Sequence, residues 1–390
     1  MIDSSQTLRS TEILRTLVGL PTVNPMERSY SSTTPVERPV IEYLESLFEP
    51  YGVSLSRQPC SPIHESLLIA VDGQSTGPAT LLESHIDTVP ADDWLDRAFQ
   101  PRIKNGRLYG RGACDDKGSL AAMVDAVLQV LDSGERPPQP ILLLAAGDEE
   151  CGQTGIKHFI QNHTTLKIGR GVFGEPTSCQ PIIQHKGTIR WDLTVRGRSS
   201  HSSEPEKGQN AILDMLQVIE RLRQLQVELA AQHKNPLLTP PTITVTRIRG
   251  GTTRNALPQE CTAAVDFRIV PGMNCEDASR HVVEAVDAME LATSHGPFQC
   301  FAPPLDTAPD DPFALAVVQI CSRALGNRAK LLGVPYGSDA SYSPAGARSV
   351  VLGPGEIGNA HAIDESVELS QVQRCAEIYH SIVMQDWASK

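Results

Sequence analysis

The sequence contains no long hydrophobic run, no basic cluster and no paired-cysteine motif, and each absence excludes a class of protein. No apolar stretch approaches the ~20 residues that a membrane-spanning helix needs. Acidic residues number 46 against 34 basic ones, so the net charge of −12 argues against nucleic acid or an anionic membrane as the main partner. The nine cysteines contain no CxxC pair, which favours reduced thiols in a cytoplasmic protein.

The first residues of the chain also lack the features of a secretory signal. Residues 1–6 have neither a basic segment nor an apolar core, so we expect a cytoplasmic protein. The length of 390 residues exceeds the size at which a single hydrophobic core stops growing, about 250 residues. Two domains are therefore expected.

Hydrophobic periodicity predicts one α/β domain that is formed by the two ends of the chain together. An amphipathic helix begins near Ser10, and a second helix is predicted over 118–131. Short apolar runs at 79–83, 141–146 and 349–352 have the character of buried strands. Strands of this kind alternating with helices are typical of a mostly parallel sheet.

The period changes after Gln184. Apolar and polar residues alternate over 189–195, as in a half-exposed antiparallel strand. The segments that follow are a helix at 210–225, strands at 242–248 and 261–269, a helix at 276–290 and a strand at 298–301. The order β-α-β-β-α-β predicts a ferredoxin-like domain at 185–302, inserted between catalytic segments 1–184 and 303–390.

Acidic residues and histidines follow several of the apolar runs. In a parallel sheet, strand ends meet at one edge, where ligands bind. The residues with metal-ligand chemistry at such positions are His85, Asp87, Glu149, Glu150, Glu175 and His361. Asp115 lies in a glycine-punctuated turn at 110–118. Each motif alone also fits an exposed loop or a helix N-terminus, but their recurrence at strand ends favours a metal centre.

Adjacent carboxylates at 148–150 end the most apolar strand. Burying them together is costly unless a cation or a proton compensates, so a metal ion is the simplest explanation. One glutamate would bind the metal while its neighbour serves as a general base.

Taken together, these motifs resemble the co-catalytic zinc amidohydrolase family of acetylornithine deacetylase, succinyl-diaminopimelate desuccinylase and glutamate carboxypeptidase. The resemblance covers nearly the whole chain. The segments that carry it are 84–90 (SHIDTVP), 108–118, 148–150 (DEE), 174–177 (GEPT) and His361.

The resemblance implies a role for each residue of the centre. His85 and Glu175 would hold one zinc ion, with Asp115 bridging to the other. Glu150 and His361 would complete the second site, which makes two zinc ions per subunit. Cobalt or manganese could replace zinc in either site. Glu149 would be the general base for attack by a zinc-bound hydroxide. Asp87 would orient His85, whereas Asp116 is not counted as a ligand.

The inserted domain carries further matches, closest to the acetylornithine deacetylases. His201 would reach the partner subunit's active site and polarise the scissile carbonyl, which implies a homodimer formed through this lid domain. The positions that resemble substrate-contacting residues are Asn255, Arg268, Gly337 and Ser338. Ser338-Asp339-Ala340 stands where biosynthetic acetylornithine deacetylases tend to have Thr-Glu-Ala, and this leaves the substrate open.

The resemblance therefore implies hydrolysis of the amide bond of a small N-acyl amino acid. A dipeptidase or carboxypeptidase with the same di-zinc centre is the nearest alternative. A single-metal aminopeptidase-like enzyme is a second. A non-catalytic binding protein on the same fold is a third, but it would be expected to lack Glu149 or a ligand, and none is missing.

Overall fold

The computed structural model describes residues 8–26 and 28–387, so the N-terminal residues 1–6 considered above lie outside it. The chain divides into two compact units. The first contains the described residues up to Ile183, Thr307–Leu332 and the described residues from Ser338 to Trp387. The second contains Gln184–Asp306 and Gly333–Gly337.

The helices and strands are numbered in chain order. Those before the boundary at residue 184 are α1 (Arg9–Val18), α2 (Arg38–Phe48), β1 (Ser54–Pro59), β2 (Glu65–Val71), β3 (Ala79–His85), α3 (Leu95–Ala98), β4 (Arg102–Lys104), β5 (Arg107–Tyr109), α4 (Lys117–Ser133), β6 (Ile141–Ala146), α5 (Thr154–Asn162) and β7 (Ile168–Phe173).

The chain then passes through the second unit and returns to the first. The remaining elements are β8 (Ile182–His185), β9 (Gly187–Arg196), α6 (Ala211–Gln232), β10 (Thr242–Gly250), β11 (Glu260–Ile269), α7 (Cys275–Asp287), β12 (Thr293–His295), β13 (Gln299–Ala302), β14 (Leu305–Asp306), α8 (Pro312–Leu325), β15 (Leu332–Val334), β16 (Arg348–Val351), β17 (Ser366–Glu368) and α9 (Leu369–Val383).

A large sheet forms the core of the first unit. Its strands follow the order β1-β2-β6-β3-β7-β16-β8. The four central strands, β6, β3, β7 and β16, are parallel, and the outer pairs are antiparallel. Every residue of β3 and β6 is buried, as expected for strands covered on both faces. The predicted mostly parallel α/β sheet is confirmed, and the carboxyl ends of its central strands lie side by side.

The second unit has the ferredoxin-like arrangement. Its antiparallel sheet follows the order β10-β11-β9-β12, and β13 also pairs with β9. Residues of β9 alternate between buried and exposed along most of the strand, as predicted. Helix α6 begins where the Asn210 side chain accepts hydrogen bonds from the N–H groups of Ile212 and Leu213. It continues past the predicted end at 225 because Leu229 extends its buried stripe.

The boundaries of the second unit differ from the predicted 185–302. Strand β14 belongs to it because Leu305 pairs with His185. The segment 333–337 also belongs to it, since the Lys186 N–H donates to the carbonyl of Val334. Contacts of this kind join residues far apart in sequence, and hydrophobic periodicity does not reveal them.

The expectation of reduced thiols is wrong for one pair of cysteines. Cys275, at the start of α7, forms a disulfide bond with Cys300 in β13. Among the described residues, the other seven cysteines take part in no disulfide bond. No helix within residues 8–26 and 28–387 is both long and apolar enough to cross a membrane.

Candidate metal centre

Four neighbouring strands of the first unit carry the predicted ligands. His85 is the last residue of β3, and Glu149 and Glu150 follow the end of β6. Glu175 comes two residues after β7, and the chain leaving β16 leads to His361. Because these strands are parallel neighbours, the residues that follow them converge at one edge of the sheet.

Asp115 lies between the two histidines. Its Oδ1 atom is 3.0 Å from Nε2 of His85, and its Oδ2 atom is 3.2 Å from Nε2 of His361. The same nitrogen of His361 is 3.3 Å from Oε2 of Glu150. One carboxylate therefore faces two different imidazoles with its two oxygens, as a bridging ligand would.

Two sets of side chains in this centre can each surround a metal ion. Ligand atoms of His85, Glu149 and Glu175 lie within 4.8 Å of one another. Those of His85, Asp115 and Glu150 do so as well. Glu149, predicted as the base, thus lies in the same cluster as the predicted ligand Glu175.

The electrostatics of the centre favour a positive charge. Burial raises the pKa of Glu149 and of Glu175 well above the ordinary carboxyl range. Hydrogen bonds to Asp115 and Glu150 raise the pKa of His361 to about 10. Although burial alone would raise the pKa of Asp115, its bonds to His361 and His85 keep it well below the usual value. These buried carboxylates need a compensating positive charge, which protons must supply when no metal ion is bound.

The residues present fit a pair of divalent cations. Oε1 of Glu150 is buried without a hydrogen-bond partner among the described residues, so it is available to a cation. Imidazole nitrogens mixed with carboxylate oxygens are a ligand set typical of zinc. Asp116 is engaged elsewhere, since its carboxylate accepts hydrogen bonds from Ser84 and Ser119.

Asp87 is placed to orient the loop after β6 as well as His85. Its two oxygens accept the backbone N–H groups of Glu149, at 3.0 Å, and Glu150, at 3.3 Å. Nδ1 of His85 lies 3.6 Å from the carboxylate of Asp87 and makes a closer contact, 3.1 Å, with the backbone carbonyl of Asp87. The carboxylate thus sets the backbone of two acidic residues of the centre.

A buried polar network behind Asp87 was not identified from the sequence. The amide of Asn24 donates to Asp87 at 2.8 Å and to Asp148 at 2.9 Å. His64 lies 3.4 Å from Asp148 and 2.6 Å from Glu37. Lone polar residues on separate elements give no local signal, although Asn24 stands directly before Pro25 in the sequence.

Two further buried carboxylates adjoin the centre. Glu83 is on β3 and Asp339 begins a short 3₁₀ helix, and both are almost fully buried. Burial raises the pKa of Asp339 to about 7, against the opposing effect of His85. The loop at 338–340 was identified from the sequence, but the burial of Asp339 was not.

In the second unit, His201 and Asn255 lie on adjoining loops. The Ser202 N–H donates to the carbonyl of Asn255, and His201 forms a bridge with Ala256. Nδ1 of the exposed His201 accepts the N–H of Ser203 at 3.2 Å. A neutral imidazole with Nδ1 as acceptor carries its proton on Nε2, which is then a donor.

The other predicted substrate residues already have internal contacts. The Arg268 guanidinium donates to Asp266 at 2.8 Å and to Thr188 at 2.9 Å. Ser338, which belongs to the first unit, is buried and its hydroxyl accepts the N–H of Ala340. A side chain at Gly337 would approach Ala302 at 3.3 Å, so glycine allows close packing there.

Comparisons with known proteins agree with the fold. Residues 81–385 match the sequence profile of peptidase family M20/M25/M40. The acetylornithine deacetylase of Proteus mirabilis (strain HI4320) is 30% identical over 385 residues, which are 95% of this chain and 95% of that protein.

Solved structures share the fold over nearly the full length. The M20 family metallo-carboxypeptidase Sso-CP2 of Sulfolobus solfataricus superposes with a TM-score of 0.79 at 19% identity, covering 97% of this chain and 99% of that one. The YXEP protein of Bacillus subtilis, described as a dinuclear metal-binding M20 peptidase, has a TM-score of 0.70 at 13% identity, with 96% of each chain covered. The chain therefore belongs to peptidase family M20/M25/M40, a family of hydrolases.

Proposed function

We propose that this protein hydrolyses the amide bond of a small N-acyl amino acid at a two-metal centre, with Glu149 as the general base. The observation that carries the proposal is the position of Asp115 between His85 and His361. A carboxylate that offers one oxygen to each of two histidines suits two metal ions held side by side.

His85 and Glu175 would hold one ion, and Glu150 and His361 the other. Zinc matches the mixed ligand set, and cobalt or manganese could replace it. Bound zinc supplies such a reaction with an acidified water at neutral pH and with stabilisation of negative charge on the carbonyl oxygen.

Glu149 has the surroundings of a general base. Burial raises the pKa of its carboxyl group, and the neighbouring Asp339 and Glu150 raise it further, against the opposing effect of His85. A base works best when its pKa lies near the working pH. Gln153 donates a hydrogen bond to Oε1 of Glu149 at 3.4 Å and limits where the carboxylate can turn. Glu149 would take a proton from water and return it to the leaving amine.

His201 would stabilise the charge that develops on the carbonyl oxygen, since its Nε2 is the donor. Asn255 and Arg268 would contact the substrate, with Gly337 and Ser338 forming a loop near its carboxylate. Because Arg268 already donates to Asp266, a substrate carboxylate would share this guanidinium, which has five N–H donors.

A homodimer formed through the second unit would let His201 serve the partner subunit's centre. Strand β10 pairs with β11 on one side and with no other strand in the described part of the chain. Leu213 and Leu216 on α6 and Ile248 on β10 are about half exposed. An open strand edge beside exposed apolar side chains supports pairing with a second copy.

A hydrolysis screen tests the reaction and the substrate class. We expect turnover of N-acetyl-ornithine or a related N-acyl amino acid, such as N-acetyl-citrulline or N-succinyl-diaminopimelate. Turnover of dipeptides alone would favour the alternative, a dipeptidase or carboxypeptidase with the same centre, for which the likeness to Sso-CP2 is the support. No turnover of either class by metal-loaded protein would contradict the proposal.

The cytoplasm is the proposed location, because seven of the nine cysteines form no disulfide bond. The Cys275–Cys300 disulfide weakens the argument from cysteine usage, because such bonds are rare in that compartment.

A further inference from the structure

Glu365 is a buried carboxylate beneath the turn that carries Asp115. Its Oε1 atom accepts the backbone N–H groups of Cys114, at 2.8 Å, and Asp115, at 3.0 Å. Its Oε2 atom accepts the N–H of Gly112 at 2.9 Å and Nη1 of Arg111 at 2.7 Å. A single side chain therefore supplies acceptors to four donors of the 111–115 turn.

The backbone around Glu365 holds the same turn. The N–H of Gly110 donates to the carbonyl of Glu365 at 2.9 Å. Immediately afterwards β17 pairs with β5, with Ser366 opposite Tyr109. Glu365 also lies four residues after His361. Glu365 thus connects the turn that carries Asp115 with the loop that carries His361. The side chains of Asp115 and His361 meet in the centre.

The 110–115 turn needs this support because its conformation is unusual. Gly112 has a φ of +82°, and its N–H and those of Cys114 and Asp115 all point toward the Glu365 carboxylate. Buried N–H groups without an acceptor are strongly unfavourable. The negative charge on Glu365 is balanced by Arg111, whose guanidinium lies 5.3 Å from the ring centre of Trp94.

The two halves of the centre differ in how firmly they are held. His85 is 2% exposed and ends a strand that is paired on both sides. The side chain of His361 is 54% exposed, and its residue has a φ of +58° and lies in no helix or strand. We call the positions of His361 and Glu150, which would hold the second metal ion, the second half-site. The geometry of this half-site therefore depends more on the neighbouring loops than the geometry around His85 does.

We infer that Glu365 is a positioning residue that holds Asp115 against the half-site of His361 and Glu150, and so sets the affinity for the second metal ion. The inference rests on the two-metal centre proposed above. Glu365 itself touches neither the ligand atoms nor the substrate, and it acts through the backbone of Asp115.

The test is a titration of metal-free protein with cobalt ions. Binding of each molar equivalent of cobalt is measured by calorimetry and by visible absorption. Wild-type protein should bind two ions. Glu365→Gln keeps the shape of the side chain but turns an amide N–H₂ toward N–H donors. We expect the affinity for the second equivalent to fall ~10–100-fold, the effect usual for lost outer-shell contacts, while the first changes much less. The absorption band of the second equivalent should shift as well.

Asp364→Asn is the matched control. Asp364 is the preceding residue and is half exposed, and it pairs with Arg97 at 3.0 Å and Arg102 at 3.3 Å. The substitution removes the same charge from the same loop without touching the 111–115 turn. Both cobalt affinities should stay at their wild-type values.

Equal weakening of both equivalents in Glu365→Gln would point to general loss of structure and would overturn the inference, as would two unchanged affinities. A wild-type protein that binds a single ion would overturn the two-metal centre itself, and the inference with it. If Glu365→Gln does not fold, Glu365→Asp replaces it, because it keeps the charge but shortens the reach. Selective loss of the second equivalent is again expected, and wild-type affinities would overturn the inference.

Discussion

His85 and His361 point their Nε2 atoms at opposite oxygens of a single carboxylate, at 3.0 Å and 3.2 Å from Asp115. The two histidines come from strand ends far apart in sequence, and Asp115 comes from a turn on neither strand. This relationship makes Asp115 the residue on which both proposed metal sites depend.

Removing the proposed bridging carboxylate should therefore affect both proposed metal ions. In Asp115→Ala, the metal content should fall from two ions per chain to fewer than one, and activity should be lost. Elemental analysis after removal of loosely bound metal checks this. Asp116→Asn is a control for charge removal in the same turn, because Asp116 bonds to Ser84 and Ser119 instead. An Asp115→Ala protein that keeps two ions would contradict the bridging role.

Glu149→Gln keeps the size of the side chain but removes the proton acceptor. The turnover number should fall by ~10²–10⁴-fold, the range for lost general acid–base assistance, while metal content stays near wild type. Glu150→Gln should behave in the opposite way and lose metal. If Glu149→Gln loses metal instead, the roles of the two residues are exchanged; its place beside His85 and Glu175 makes this a sharp test.

His201 and Glu149 should complement each other between subunits. Mixing inactive His201→Ala protein with inactive Glu149→Gln protein would form heterodimers in which one of the two sites is intact. Random pairing would restore about a quarter of wild-type activity in a symmetric dimer. Subunit exchange is verified with differently tagged chains. No recovery after verified exchange would mean that His201 acts within its own chain or has no role.

The disulfide between Cys275 and Cys300 should stabilise the second unit. It closes a loop with a sequence separation of 25 residues. For a loop of this length, the reduced entropy of the unfolded chain should raise the free energy of unfolding by about 3–4 kcal/mol. Without reductant, the melting temperature of Cys275→Ser should be lower than that of the wild-type protein. A reducing agent should lower the wild-type value toward that of Cys275→Ser and leave the variant unchanged. A wild-type protein insensitive to reductant would show that the bond contributes little.

His185 should make stability depend on pH in weakly acidic solution. Burial lowers the pKa of His185 to about 4. Between that value and the ordinary histidine pKa, the unfolded chain binds the proton and the folded chain does not. The contribution of His185 is therefore complete above the ordinary pKa and is lost as pH falls, by at most about 1.4 kcal/mol per pH unit.

The measurement is NMR of protein with ¹³C-labelled histidine. The His185 signal is identified by its absence in His185→Gln and should titrate with a midpoint near the value of about 4. A midpoint at the ordinary histidine value would show that the ring reaches solvent in the native state.

Much of the fold follows from local patterns in the sequence. The continuous apolar runs that became β3, β6 and β16 are typical of strands buried on both faces, and the alternation in β9 reflects the two-residue repeat of a half-exposed strand. Neither pattern needs knowledge of the partner strand. Several of the proposed ligands could be identified in the same way, since His85, Glu150 and Glu175 stand at or shortly after the end of a strand. Strand β2 and helices α2, α5, α8 and α9 are among the elements that were not predicted. For β2, a short apolar run does not distinguish helix from strand.

The tertiary structure decided which of these residues meet. The opposition of His85 and His361 across Asp115, the Asn24 and His64 network and the Glu365 contacts all join residues far apart in sequence. Such contacts depend on the direction of each side chain and on how the loops close, and neither leaves a local pattern. The sequence by itself therefore determined many of the elements and the chemistry of the proposed ligands. The packing of parallel strands brought those ligands to one edge, because only there do the carboxyl ends of distant segments lie side by side.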